Sequence, residues 1–172
     1  MSGVRKRRRR KRNRAEPVKL EIVIRSALWR KQRTAQSVVR KAVLAAAKAA
    51  STAPAELAIV LTDDSTIRTL NRDWRGKNAP TNVLSFPASR VGQGDKLLGD
   101  IVIAYETLER ESTDESRDFL HHLAHLAVHG FLHLIGFDHE TDAQAEEMEG
   151  LESRIMMRLN MPDPYVARES DN

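Results

Sequence analysis

All six histidines of this 172-residue chain lie between positions 121 and 139. Three of them have spacing suited to a metal ion. His129 and His133 are four apart in a segment that reads as a helix, so both rings leave one face and can reach the same ion. Gly136 lets the chain turn sharply, and His139 then returns to complete a set of three nitrogens. Three imidazoles leave a coordination position open for water, which a catalytic zinc site needs. A structural site is normally closed by a fourth ligand, often cysteine, and the chain contains no cysteine. Imidazoles also suit copper, nickel and iron; zinc is favoured, at one ion per chain.

The pattern H-x3-H-x2-G-x2-H equals the spacing of the metzincin proteases, with one difference. Those enzymes carry Glu directly after the first His as general base, and here that position is Gly130. Glycine can neither take a proton from water nor polarise a peptide carbonyl. The metal ligands are kept while the proteolytic base is missing, which argues for another kind of hydrolysis. His125 stands one turn before His129, where it is expected to act on a ligand from behind, and His121 is expected to be solvated. Asp138 either accepts a hydrogen bond from a ligand ring or fixes the turn after Gly136. Asn82 and Ser85 either line the cleft or are plain strand residues. Met148, Met156 and Met157 are expected in the core.

The elements that must position these residues follow from periodicity and punctuation. Val18–Ile24 alternates and predicts a strand. Gln36 to Ala50 predicts a helix, and Leu57–Leu61 a short strand. Asp63 and its neighbours supply cap chemistry for a helix that presents Ile67, Leu70 and Trp74 on one side and ends at Gly76. Val83–Phe86 and Leu97 to Ala104 predict strands, separated by a loop from Ala88 to Lys96. Ser112 to Glu115 has capping-box spacing, from which one long helix is expected through Ile135. Thr141 to Gln144 is a second such box, opening a helix with Met148, Leu151, Ile155 and Leu159 on one face. This order is not a clean βαβ alternation. It predicts a single compact α+β domain, a small mixed sheet with helices packed on it.

Arg5 to Arg14 holds nine Lys or Arg in ten positions and no acid. Taking those nine from the 28 basic residues leaves 19 against 24 acidic ones, so the net charge of +4 hides a body of net −5. The chain is therefore divided into a basic arm over 1–16, a globular domain over 17–166 and a tail over 167–172. Such an arm stays solvated and suits a polyanion, most plausibly nucleic acid; the alternative is a passive extension. No apolar run is long enough to cross a bilayer, and no apolar h-region follows the basic run, so neither a membrane anchor nor a signal peptide is expected. The lack of cysteine is compatible with a reducing cytoplasm.

The run from His129 to His139, HGFLHLIGFDH, closely resembles the HGxLHLxGYDH signature of the YbeY family of bacterial endoribonucleases. Leu70-Asn71 with Trp74-Arg75-Gly76-Lys77 resembles that family's LN-x-x-(aromatic)-R segment. Residues 80–87, PTNVLSFP, resemble its PT(D/N)VLSFP segment, and Leu98-Gly99-Asp100-Ile101 its LGDI strand. Residues 145–149 and Asp163-Pro164-Tyr165 resemble its closing helix and tail. The resemblance covers roughly residues 57 to 165. Phe137 departs from it, standing where Tyr is usual, and the arm lies outside it.

The resemblance implies a metal-dependent ribonuclease specific for single strands. It further implies maturation of the 3′ end of small-subunit (16S) ribosomal RNA and late quality control of 70S ribosomes. The partners expected are a ribosomal RNA precursor and the ribosome or its small-subunit proteins, with neither DNA nor membrane. Arg75, after a predicted helix, matches the family's functional arginine. A guanidinium there can clamp two phosphate oxygens and stabilise charge gained in the transition state; a surface Arg capping a helix is the plainer reading. Arg75, His129, His133 and His139 are thus the candidate catalytic set. The nucleophile is either water, its pKa lowered by zinc, or the ribose 2′-hydroxyl. The competing class is a non-catalytic, zinc-containing ribosome-assembly or RNA-binding protein, disfavoured by the open three-histidine site.

Overall fold

A computed structural model describes residues 17–89 and 97–166. The arm expected over 1–16, positions 90–96 of the expected loop and the tail expected over 167–172 lie outside the described residues. Four strands, β1 (Val18–Ile24), β2 (Ala55–Thr62), β3 (Val83–Pro87) and β4 (Leu97–Ala104), form one sheet in the order β1-β2-β4-β3. β1, β2 and β4 run parallel, and β3 pairs antiparallel with β4 at the edge. The sheet is mixed, as the order of elements predicts.

Alternation along the strands sends side chains to two layers. Leu57, Ile59 and Leu61 of β2 and Ile101 and Ile103 of β4 face the larger core, shared with α1 (Ala35–Ala49), α4 (Phe119–Leu134) and α5 (Asp142–Arg158). Leu84, Val102 and Ala104 face the other way and close over Ile67 of α2 (Asp64–Arg75). Asp63 caps α2 by accepting from Thr66 N at 2.9 Å, and Gly76 ends it in the left-handed conformation, φ 70°. Only part of the predicted apolar face of α2 is covered. Ile67 is buried, but Trp74 is 73% exposed and meets Phe86 in an edge-on contact, at 5.9 Å between centroids.

The long helix expected from Ser112 through Ile135 is two helices. α3 (Tyr105–Asp114) ends where the sequence suggested a start, and α4 begins at Phe119. The Ser112 hydroxyl donates back to Leu108 O at 2.7 Å, so it belongs to the last turn of α3 and not to an N-cap. Ser116 breaks the chain at φ 51°, and Asp118 is the true cap, accepting from Leu120 N and His121 N at 2.9 and 3.0 Å. A 3₁₀ turn over Ala27–Lys31, without a predicted counterpart, seats Trp29 in the core with its indole N–H on Thr62 O at 2.8 Å.

α4 is the central helix. Leu123, Ala124, Leu126, Ala127, Val128, Phe131 and Leu132 are all buried, against α1, α3, α5 and the sheet. A helix clamped on so many sides is a rigid carrier for ligands. The capping box at Thr141 and Gln144 is present and opens α5. Of the three methionines expected inside, Met148 and Met156 are buried, whereas Met157 is 56% exposed because one further residue turns it off the inner face. No helix among the described residues is long and apolar enough to cross a membrane.

Candidate metal centre

α4 presents His129 and His133 one turn apart, with their Nε2 atoms 3.1 Å from each other. The chain then reverses in a Schellman turn: Gly136 N–H donates to His133 O at 3.1 Å and Phe137 N–H to Leu132 O at 3.0 Å. Gly136 sits at φ 102°, a conformation side chains rarely tolerate. The reversal brings His139 back, its ring centroid 4.9 Å from that of His133 and 5.6 Å from that of His129. Ligand nitrogens of all three lie within 4.8 Å of one another, so the structure joins the three predicted ligands in one group.

The donor set fits a cation. The carbonyl of Phe137 faces His133 Nδ1 at 3.0 Å, and a carbonyl only accepts, so Nδ1 carries the proton. Burial, followed by the charges of His129 and His139, holds the His133 pKa below the usual imidazole value, so the ring is neutral near pH 7. Its Nε2 lone pair therefore points at the Nε2 of His129. Tetrahedral zinc, with Zn–N bonds of about 2.0–2.1 Å, separates two ligand nitrogens by about 3.3 Å, close to the spacing found here.

Behind the rings stands a residue the motif analysis missed. Glu152 of α5 is fully buried, and its Oε1 lies 2.8 Å from His129 Nδ1 while its Oε2 lies 2.8 Å from His125 Nε2. The Tyr165 hydroxyl also donates to Oε2. Burial alone would push this carboxyl up, but the hydrogen bonds from His125 and His129 outweigh it and hold the pKa at about 2. The available signal was its position: Glu152 is four residues after Met148 and three before Ile155, a charge on the inward stripe of a helix. His125 thus touches Glu152 rather than lying directly against a ligand ring's nitrogen. His121 is 39% exposed and lines, with His122, His125 and Arg117, a cavity of about 620 Å³ beside the N-terminal half of α4.

Gly130 has a packing reason beyond the missing base. A Cβ there would lie 3.0 Å from Ile101 Cγ2 and 3.1 Å from Ser85 Oγ, so any side chain at this residue would push on its neighbours in the sheet. Ser85 is used in that approach, its hydroxyl donating to Gly130 O at 3.2 Å. Asn82 is also used structurally: its amide donates to Glu111 at 3.0 and 3.2 Å and its carbonyl accepts from Val83 N at 2.7 Å. Asp138 accepts from His139 N at 2.8 Å, which selects its turn-fixing role. Gly130→Glu is expected to destabilise the fold by more than about 3 kcal/mol, on the order of 10 °C in Tm, through overpacking and burial of an unpaired charge. Thermal unfolding of the variant checks this, and an unchanged Tm would contradict the close contact.

Arg75 is the last residue of α2, exposed, with no side-chain hydrogen bond or ion pair among the described residues. α2 covers the opposite face of the sheet from α4, with the edge strand β3 between them. The structure therefore leaves Arg75 free but does not join it to the histidines.

Fold and site together define an α+β protein whose central helix carries two ligands of a candidate three-imidazole metal centre, with glycine where a metzincin protease has its glutamate. A family model described as Endoribonuclease YbeY matches residues 24–160, extending well N-terminal of the motifs in the sequence. The chain is 54% identical over 157 residues to a Bradyrhizobium sp. (strain BTAi1) protein named Endoribonuclease YbeY, covering 87% of this chain and 93% of that one. It is 51% identical over 164 residues to a Rhodopseudomonas palustris (strain BisB18) protein of the same name, covering 91% and 97%. A solution structure of a Thermotoga maritima protein shares the fold at TM-score 0.51 and 20% identity, over 86% of this chain and 99% of that one. The chain belongs to the YbeY endoribonuclease family.

Proposed function

We propose that this protein is a zinc-dependent endoribonuclease that cuts single-stranded RNA, with one zinc ion on His129, His133 and His139. The observation that carries this reading is the convergence of ligand nitrogens from three histidines in a site where Gly130 stands in place of a protease base. When bound, zinc supplies Lewis acidity and lowers the pKa of water. His129 and His133 offer it their Nε2 atoms on a rigid helix, and His139, which is exposed, leaves the centre open towards solvent and a polymeric substrate. Arg75 binds a phosphate oxygen pair and offsets charge that grows during cleavage. The names of the relatives support RNA as substrate. We place the protein's work in the cytoplasm, on the 3′ end of 16S ribosomal RNA and in 70S quality control, with the ribosome as partner. The test compares single-stranded RNA, duplex RNA and single-stranded DNA under one condition. Cleavage of the first alone is expected; equal cleavage of DNA would overturn the substrate assignment. A 2′,3′-cyclic phosphate end would identify the 2′-hydroxyl as nucleophile, and its absence water.

The domain carrying this activity is residues 17–166, and residues 1–16 serve as an RNA anchor. The body has net charge −5, so a polyanion needs a local source of attraction. Deleting residues 1–16 is expected to weaken RNA binding and to flatten its salt dependence. If the arm neutralises four or five phosphates, the slope of log K against log salt falls by about 3. Turnover at saturating RNA should be unchanged. Equal affinity and equal slope for the full chain and the truncated one would leave the arm a passive extension.

A further inference from the structure

We infer that Glu152 is a positioning residue of the metal centre, fixing the tautomer of His129 so that its Nε2 faces the ion; the inference rests on the metal-binding reading above. A fully buried carboxylate costs several kcal/mol unless it is paired and hydrogen-bonded. Glu152 has no exposure, and its buried neighbours on the same face of α5 are Met148, Ile155 and Met156. An apolar side chain would suit that layer, so packing does not account for a charge.

The three groups around the carboxylate do account for it. Oε1 takes His129 Nδ1 at 2.8 Å, and Oε2 takes His125 Nε2 at 2.8 Å together with the Tyr165 hydroxyl. A carboxylate only accepts, so a proton sits on His129 Nδ1, and Nε2 is the nitrogen left to face His133 Nε2 and an ion between them. His133 receives the same instruction from a backbone carbonyl, Phe137 O. The two helical ligands are thus set from behind by different acceptors, one of them a side chain open to mutation. His125 and Tyr165 occupy the second oxygen and stop the carboxylate from rotating away. Tyr165 is itself held: Asp163 Oδ1 accepts from its N–H at 3.0 Å and from Ser153 Oγ at 2.8 Å. The segment after α5 is in this way tied to the centre through Glu152.

Glu152→Gln keeps the volume but presents an amide donor on one side. Facing two ring nitrogens that both donate, it cannot accept from both. Removal of such a partner typically lowers metal affinity by roughly 10- to 100-fold. Two measurements test the inference. In isotope-labelled, metal-free wild-type protein, long-range ¹H–¹⁵N NMR should find a proton on His129 Nδ1; an unprotonated Nδ1 would overturn the inference, whether or not the variant folds. Zinc titration against a chelating dye should give E152Q a Kd about 10- to 100-fold weaker than wild type. Y165F, which keeps both histidine contacts, should lose less, and a loss larger than that of E152Q would move the role to the tyrosine. Wild-type protein that binds no zinc overturns the metal-centre reading and this inference with it. A wild type that binds zinc no better than E152Q overturns this inference alone.

Discussion

His133→Ala is expected to lose the metal and, with it, RNA cleavage. The roughly 10–16 kcal/mol of a four-ligand zinc site, divided evenly, gives about 3 kcal/mol per ligand, or about a hundredfold in Kd. Purification then leaves the variant metal-free. His133 is the cleaner of the two helical ligands to remove. Its ring is half-buried, and its loss frees the Phe137 carbonyl, beside a solvent-facing turn, and the outward-facing Nε2 of His129. His129→Ala would also strip a partner from the buried Glu152, a defect that costs roughly 3–5 kcal/mol in its own right. The fold of His133→Ala should therefore survive, which separates loss of metal from loss of structure. Elemental analysis of protein purified without chelator checks this. A full metal complement in the variant would remove His133 from the site.

Arg75→Ala is expected to keep metal and stability but to cleave roughly a hundredfold more slowly or worse, the cost of losing one transition-state donor. Stability should not change because Arg75 is exposed and has no partner among the described residues. Arg75→Lys keeps the charge without the fork and should recover only part of the rate. Turnover at saturating RNA is the deciding number. The prediction also tests geometry, because the end of α2 and the face of α4 are separated by β3. The RNA must pass around that edge to meet both. Normal turnover in the alanine variant would leave Arg75 a surface cap of α2.

The parts of this molecule that were legible in its sequence are those governed by local periodicity and local caps. His129 and His133 share a face because a helix has 3.6 residues per turn, and Gly136 marks the reversal that returns His139. The limits of α2 follow from Asp63 and Gly76. Where one residue type serves two local purposes, legibility ends. Ser112 to Glu115 resembles a capping box, yet the Ser112 and Thr113 hydroxyls bond back to carbonyls four residues earlier, at 2.7 and 2.9 Å, inside the end of α3. Nothing local distinguishes these uses; packing of α3 against α4 decides. Gly130 reads in the sequence as an absent base, whereas its packing against Ile101 depends on a strand about thirty residues away. Glu152 was legible only as a charge on an apolar stripe, and its meaning required α4 and α5 to be set side by side.

The most direct test is RNA cleavage by the wild-type protein before metal removal, after it, and after zinc is restored. Three histidines on one ion predict that cleavage of a single-stranded RNA disappears with the metal and returns on adding about one equivalent of zinc per chain. The fold, followed by circular dichroism, should be kept throughout, because the core of α1, α4 and the sheet does not depend on the ion. Cleavage that continues undiminished in rigorously metal-free protein would contradict the assignment of His129, His133 and His139 as the catalytic centre.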